Sequence, residues 1–304
     1  MNLLALLIGI VIERLATQLF HWRRLRWLDR LIDWGFRHSA RVADWPALLP
    51  VVLLAVLLAL PVLIVTLSLG DALLGFPYLA LAIVVLFFSL GPKDIGEDVD
   101  EYCEALEAEE PQRIRETATA LVEGEVPDDR LEQIHCVEAA VCVQANNRLF
   151  AVIFWFMLLG PLGAWIYRVT DLIRRRAVFN CSRVEGDDAP QLSRLRDAST
   201  TLHGWLAWVP ARLTAMGYAI AGHFDAALLA WRERSDAAPA STSEGSEELL
   251  ARVGVGALAL SDLEGETVTE RGVRGARAAN KLVFRLLTIW AVVIAALTLY
   301  GWSV

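Results

Sequence analysis

ALLPVVLLAVLLALPVLIVTLSL, residues 47–69, contains no charged side chain. A helix needs about 20 apolar residues to cross the hydrocarbon core of a bilayer, and backbone groups there must pair within the segment. This run therefore predicts a transmembrane helix. A second uncharged run, GFPYLALAIVVLFFSLG at residues 75–91, follows after only five residues, Gly70 to Leu74. The two predict a tight antiparallel hairpin over residues 47–91.

Two further runs lie downstream. Residues 149–167, LFAVIFWFMLLGPLGAWIY, are interrupted by Gly160-Pro161. Residues 286–304 carry Trp290, Tyr300 and Trp302, aromatic residues that anchor a helix at the membrane interface. The predicted fold is an all-α, polytopic membrane protein with about four membrane-embedded helices plus amphipathic interfacial and cytoplasmic helices. Composition agrees: 56% of the 304 residues are hydrophobic and the mean hydropathy is +0.44, above the soluble average of about 45–50% apolar.

Six stretches follow along the chain. Residues 1–46 hold a short apolar start and a Trp/Arg-rich amphipathic helix. Residues 47–91 are the hairpin, and 92–147 an acidic cytoplasmic helical loop. Residues 148–168 are a third membrane helix with its Gly-Pro break. Residues 169–282 are polar and interfacial, with a flexible linker at 235–248. Residues 283–304 are the C-terminal transmembrane helix. The start MNLLALLIGIVIE lacks a basic region before its apolar run and a small-residue cleavage site after it, so no cleavable signal peptide is expected.

In the amphipathic helix, Trp22, Leu25, Leu28, Leu31 and Ile32 recur at helical spacing between arginines, a pattern suited to a membrane surface. Residues 93–147 carry sixteen acidic against four basic side chains. Pro111 suits a first helical position, Gly124 an end, and Asp129-x-x-Glu132 a capped start. The helical pattern then runs unbroken into the third apolar run. The acidic surface suits a soluble cytoplasmic protein partner. A net charge of −8 argues against nucleic acid.

Short cytoplasmic loops are enriched in Lys and Arg, and seven arginines precede the first span, placing that side in the cytoplasm. If the third run crossed once, Arg174, Arg175 and Arg176 would lie outside, with Arg271, Arg274, Arg277 and Lys281. Either the run bends at Gly160-Pro161 and re-enters, or residues 202–222 cross back. The arginine clusters are expected in the cytoplasm and the C-terminus outside.

An ionisable group beside the bilayer is a functional candidate by default. Arg14, Glu138, Arg168, Asp171 and Arg212 therefore form a candidate ligand site or structural charge cluster. Arg168 and Asp171, three apart, should pair on one helix face. Glu138 is expected to pair with Arg212, docking the 202–232 region onto the third helix. The five histidines show no metal-ligand spacing, and no Gly-rich phosphate loop occurs, so no metal site and no catalytic residue is assigned. Cys103, Cys136, Cys142 and Cys181 read as small buried or interfacial hydrophobes.

Several motifs carry a resemblance. They are Glu13-Arg14-Leu15 after the apolar start, Phe154-Trp155, Gly160-Pro161-Leu162-Gly163-Ala164, Tyr167-Arg168, Trp208-Val209-Pro210-Ala211-Arg212-Leu213-Thr214, and Leu297-Thr298-Leu299-Tyr300-Gly301. In this order they resemble the AmpE family of bacterial inner-membrane proteins. More distantly, they are similar to the CobD/CbiB membrane proteins of cobalamin biosynthesis. The AmpE resemblance implies a multi-pass inner-membrane protein without catalytic activity. It would contribute to regulation of β-lactamase expression or cell-wall-recycling signalling, as a scaffold with a membrane-protein partner or a second copy. It implies no cofactor.

The CobD-like alternative is an amide-forming synthase using ATP and Mg²⁺; a transporter component is the other. The CobD-like acidic motifs are reduced here. Residues 138–147 read EAAVCVQANN, with Glu138 as the one carboxylate; Thr170-Asp171-Leu172-Ile173 follows Tyr167-Arg168, and His203-Gly204 stands where paired aspartates are expected.

Overall fold

A computed structural model describes residue 6 and residues 25–39, 46–69, 76–90, 94–183, 189–233, 242–261 and 263–300. Every regular element among them is helical: α1 Arg26–Ser39, α2 Leu48–Leu69, α3 Phe76–Ser89, α4 Ile95–Glu107, α5 Pro111–Val122, α6 Arg130–Ala145, α7 Ala151–Cys181, α8 Ala189–Ala221, α9 Phe224–Arg232, α10 Thr242–Leu258 and α11 Val268–Leu299. One π-helical turn, Asn146–Phe150, joins α6 to α7.

The local stops and starts have visible causes. Asp94 caps α4, accepting from the Gly96 amide at 3.0 Å. Pro111 opens α5, where its missing N–H costs nothing. Asp129 caps α6 through the Glu132 amide at 3.0 Å. Thr267 and Glu270 close a reciprocal capping box on α11. The linker expected at 235–248 is helical from Thr242, because α10 begins there and packs on α8 and α6; residues 234–241 lie outside the described set.

In α1 the buried stripe is Leu25, Leu28, Ile32 and Phe36. Leu31, expected on it, is exposed with Trp27 and Trp34; Trp22 lies outside the described residues. The stripe packs with Val51, Leu54 and Leu58 of α2 and with Trp165, Val169 and Ile173 of α7. A larger core joins α3, α4, α6, α7, α8, α10 and α11 around Tyr102, Phe150, Phe156, Tyr167 and Tyr218.

Among the described residues, three stretches are long and apolar enough to cross a membrane, Leu48–Ser68, Arg130–Cys181 and Val268–Leu299, and Pro77–Ser89 is a shorter apolar helix. The outer faces of α2 and α11 expose Leu53, Val56, Leu57, Ile64, Val292 and Val293. Apolar surface of that extent belongs in lipid. The chain is a multi-pass helical membrane protein.

Arg130–Cys181 is not one straight rod. The Tyr167 hydroxyl lies 3.5 Å from Asn147 Oδ1, and Arg148 and Arg175 both hold the Glu123 carboxylate. On a straight helix residues 147 and 167 would stand about 30 Å apart. The chain instead reverses at Gly160, whose φ of 66° and ψ of −154° lie in a region only glycine visits readily. The two limbs then touch so closely that a Cβ on Gly163 would stand 2.3 Å from the Trp155 carbonyl oxygen. From Arg148 to Gly160 is about 18 Å of helix, well short of a bilayer core of about 30 Å. The third apolar run is a helical hairpin with an apolar tip, where Leu158 and Leu159 are exposed. The bend at Gly160-Pro161, one of the two arrangements that the charge pattern left open, is present in the fold.

Neighbours follow from that hairpin. α2 packs on its second limb, where the Trp165 indole donates to the Leu58 carbonyl at 3.0 Å, and Arg176 of that limb reaches Asp33 of α1 at 2.8 Å. α11 runs alongside the first limb, from Arg271 beside Glu138 to Trp290 beside Phe150. α8 packs against both limbs, with Trp155 donating to the Leu206 carbonyl and Thr214 to Asn146 Oδ1, both at 3.0 Å. Its outward stripe of Trp205, Trp208, Val209, Met216 and Ile220 is exposed and apolar, the face an interfacial helix presents.

Candidate functional site

The reversal at Gly160 places the start of the first limb and the end of the second at one level. Their polar side chains converge there with those of α4, α5, α8 and α10. Asp171, fully buried, is the hub: Arg168 lies 2.9 Å away, Arg175 2.9 Å and Arg174 3.3 Å, with His203 of α8 at 3.8 Å. All three arginines are within four residues of Asp171 on α7, the spacing at which helical side chains meet.

A second carboxylate extends the cluster. Glu123, just past α5, receives Arg175 and, at 2.9 Å, Arg148. Arg148 also donates to Asp98 of α4 at 2.8 Å and to Gln144 at 3.1 Å. Glu247 of α10 completes the set, 3.3 Å from Arg174. Five segments are thus tied by one chain of ion pairs, Asp98–Arg148–Glu123–Arg175–Asp171–Arg174–Glu247. Glu123 sits at φ 56°, a left-handed conformation a glutamate seldom adopts. That backbone aims its carboxylate at both arginines.

Burial pushes the Glu123 carboxyl up, but the guanidiniums of Arg175 and Arg148 together outweigh it and hold it below its ordinary value. For Glu247 burial wins over the pull of Arg174, so its carboxyl is raised. Burial, helped by the positive charge of Arg174, drives His203 well below its ordinary value despite Asp171, which leaves the imidazole neutral near pH 7.

Between the limbs opens a cavity of about 710 Å³, lined by Glu123, Gln144, Asn147, Arg174, Arg175, Glu247 and Glu248, with apolar walls from Val122, Ala139, Val143, Val178 and Phe179. Several buried polar atoms at this level have no hydrogen-bond partner: the donors Nε of Arg168, Nε of Arg174 and Nη2 of Arg175, and both ring nitrogens of His203.

The sequence-derived candidates separate. Arg168 and Asp171 pair as their spacing predicts and lie at the centre. Glu138 is buried but one helix turn and more from the cluster, paired with Arg271 of α11 and 3.5 Å from His135. Its expected partner Arg212 is elsewhere: half-buried, it donates to the Trp208 carbonyl at 3.0 Å and covers the Trp208 ring at 3.9 Å. The Glu138–Arg212 pair is therefore corrected to Glu138–Arg271, because α11 and not α8 lines that face of α6. Arg14 lies outside the described residues. Glu123, Arg148, Asp98 and Glu247 were missed as site residues. A buried arginine inside QANNRLF was a legible signal; the acids were hidden among exposed ones.

These features define a multi-pass helical membrane protein in which a folded-back helical hairpin carries a buried ion-pair cluster and a polar cavity at its mouth. The family model described as "Regulatory signalling modulator protein AmpE" matches residues 1–304, and the chain belongs to the AmpE family. It is also similar to two proteins named cobalamin biosynthesis protein CobD. The one from Stutzerimonas stutzeri is 28% identical over 204 residues, 66% of this chain and 60% of that protein. The one from Chromobacterium violaceum is 25% identical over 180 residues, 59% and 54% of the two chains. The match thus spans less than two thirds of either relative. No solved structure matches the chain.

Proposed function

We propose that the chain is a non-catalytic regulator of the bacterial inner membrane, contributing to control of β-lactamase expression or to cell-wall-recycling signalling as a scaffold. The observation that carries this reading is the state of the acids at the hairpin mouth. Asp171 is held by three arginines, Glu123 by two and Glu247 by one. Magnesium is bound through carboxylate oxygens able to turn toward the ion, commonly together with substrate phosphates. Carboxylates committed to guanidiniums suit a rigid joint better than a metal–nucleotide site. The joint ties the membrane hairpin to α4, α5 and α10, so a change at one is felt at the others.

The outward acids of α4, α5 and the turn between them, among them Glu101, Glu104, Glu109 and Glu116, are exposed. They offer a basic cytoplasmic protein a face on which to dock. Deleting the gene should alter β-lactamase induction in the host, and the wild-type chain should restore it. Asp171→Asn should restore it poorly. Conversely, the chain should not rescue a strain lacking cobinamide-phosphate synthase. Rescue there, lost on Glu138→Ala, would establish the CobD-like enzyme instead.

A further inference from the structure

The cavity at the hairpin mouth has donors to spare and few acceptors that are not already engaged. Arg174 and Arg175 project into its wall from the second limb, and Asn147 and Gln144 face them from the first. The acids in that wall are largely spent on the arginines, yet Arg174 Nε and Arg175 Nη2 keep buried N–H groups without a partner. Leaving a charged donor unpaired is costly, so the wall around these two arginines is richer in donors than in free acceptors.

Charge at the mouth is shared between the two signs. Arg148, Arg168, Arg174 and Arg175 face Asp98, Glu123, Asp171 and Glu247. Burial raises the Glu247 carboxyl, with Arg174 opposing. Glu248 also borders the opening and lies 3.9 Å from Arg252.

We propose that this cavity binds a small molecule through an anionic group, phosphate or carboxylate, engaged by Arg174 and Arg175, with the apolar part of the molecule against Val178 and Phe179. Guanidiniums present paired N–H groups to such oxyanions. A cavity of about 710 Å³ accepts a molecule well beyond a bare ion, in the usual size range of ligand sites. The anion can come from a soluble metabolite or from a lipid headgroup, because the mouth lies at the base of a hairpin whose tip is apolar. The ligand would set the strength of the joint between Arg174, Arg175 and their acids. The regulatory reading above does not depend on it, and the two fail in different assays.

The test uses the purified full-length chain in detergent, with thermal unfolding and titration calorimetry against inorganic phosphate, glycerol phosphate and succinate. A parallel arm uses nanodiscs of phosphatidylglycerol or of phosphatidylcholine alone. The proposal expects saturable binding or stabilisation by at least one anionic probe. A response to free anions marks a soluble ligand, and a response to phosphatidylglycerol alone marks a lipid headgroup. Ala139→Trp fills the cavity without removing a charge; it should abolish the response while unfolding near the wild-type temperature in anion-free buffer. Arg175→Gln should weaken binding about tenfold or more. No saturable response of the wild-type chain to any anionic probe overturns the proposal, as does an undiminished response of Ala139→Trp.

Discussion

α2 and the broken helix α6–α7 begin from similar material. Each contains an apolar run long enough to cross a membrane, and each run contains a proline, Pro61 in one and Pro161 in the other. One continues as an unbroken helix and the other folds back on itself. The proline is not the difference, since α2 passes through Pro61 without leaving helical geometry. The difference is the residue before it. Leu60 is confined to the helical and extended regions, whereas Gly160 takes φ 66° and turns the chain. Polar anchors follow suit: only the broken run has arginines at both ends, and a carboxylate, Glu123, that holds both ends together. Apolar length licenses a crossing; glycine and paired charge decide whether it happens.

The sharpest break of this comparison is all-or-none. Cys136 and Cys181 stand near the outer ends of the two limbs, both partly accessible. With the other three cysteines removed, each should react with an impermeant thiol reagent from the same, cytoplasmic side. Ser68→Cys in a cysteine-free chain should react from the opposite side. Labelling of Cys136 and Cys181 from opposite faces would make the third run a true crossing.

Next in size is the anchor. Asp171→Ala leaves Arg168, Arg174 and Arg175 without their shared carboxylate and should cost about 3–5 kcal/mol of stability in detergent. The hydroxyl of Thr66 in α2 bonds only its own helix at the Val62 carbonyl, and Thr66→Val should change little. Equal losses would show that the charge cluster does not hold the hairpin.

Gly160→Ala forces a Cβ into a conformation reserved for glycine and should cost about 1–3 kcal/mol. Pro61→Ala should be neutral or stabilising, since it restores a helix amide. A Gly160→Ala protein as stable as wild type, with labelling unchanged, would remove glycine as the cause of the turn.

The smallest effect separates the two ion-pair assignments. Arg212→Ala removes one contact to its own helix and a stacked Trp208, worth below about 1 kcal/mol. Combined with Glu138→Ala, which strands Arg271, the losses should add. Marked sub-additivity in the double mutant would restore the Glu138–Arg212 pair.

The sequence alone determined the solvent of each segment. Uncharged runs over residues 47–69, 75–91, 149–167 and 286–304 can lower their free energy only in lipid or a buried core, and arginines on both sides of the third run left either a bend at Gly160-Pro161 or a return crossing by residues 202–222. The Arg168–Asp171 pair was legible as well, because helical spacing makes partners three apart meet whatever surrounds them. Local spacing says nothing about partners from distant segments. Glu123 and Glu247 resemble their exposed acidic neighbours in sequence, and only the packing of α5 and α10 against the second limb turns them inward. Glu138 finds Arg271, 133 residues away, because α11 descends beside α6. The choice between bending and crossing was likewise tertiary. A Gly-Pro pair permits a turn, but contact between the limbs at Gly163 and the shared carboxylate of Glu123 are what hold it closed.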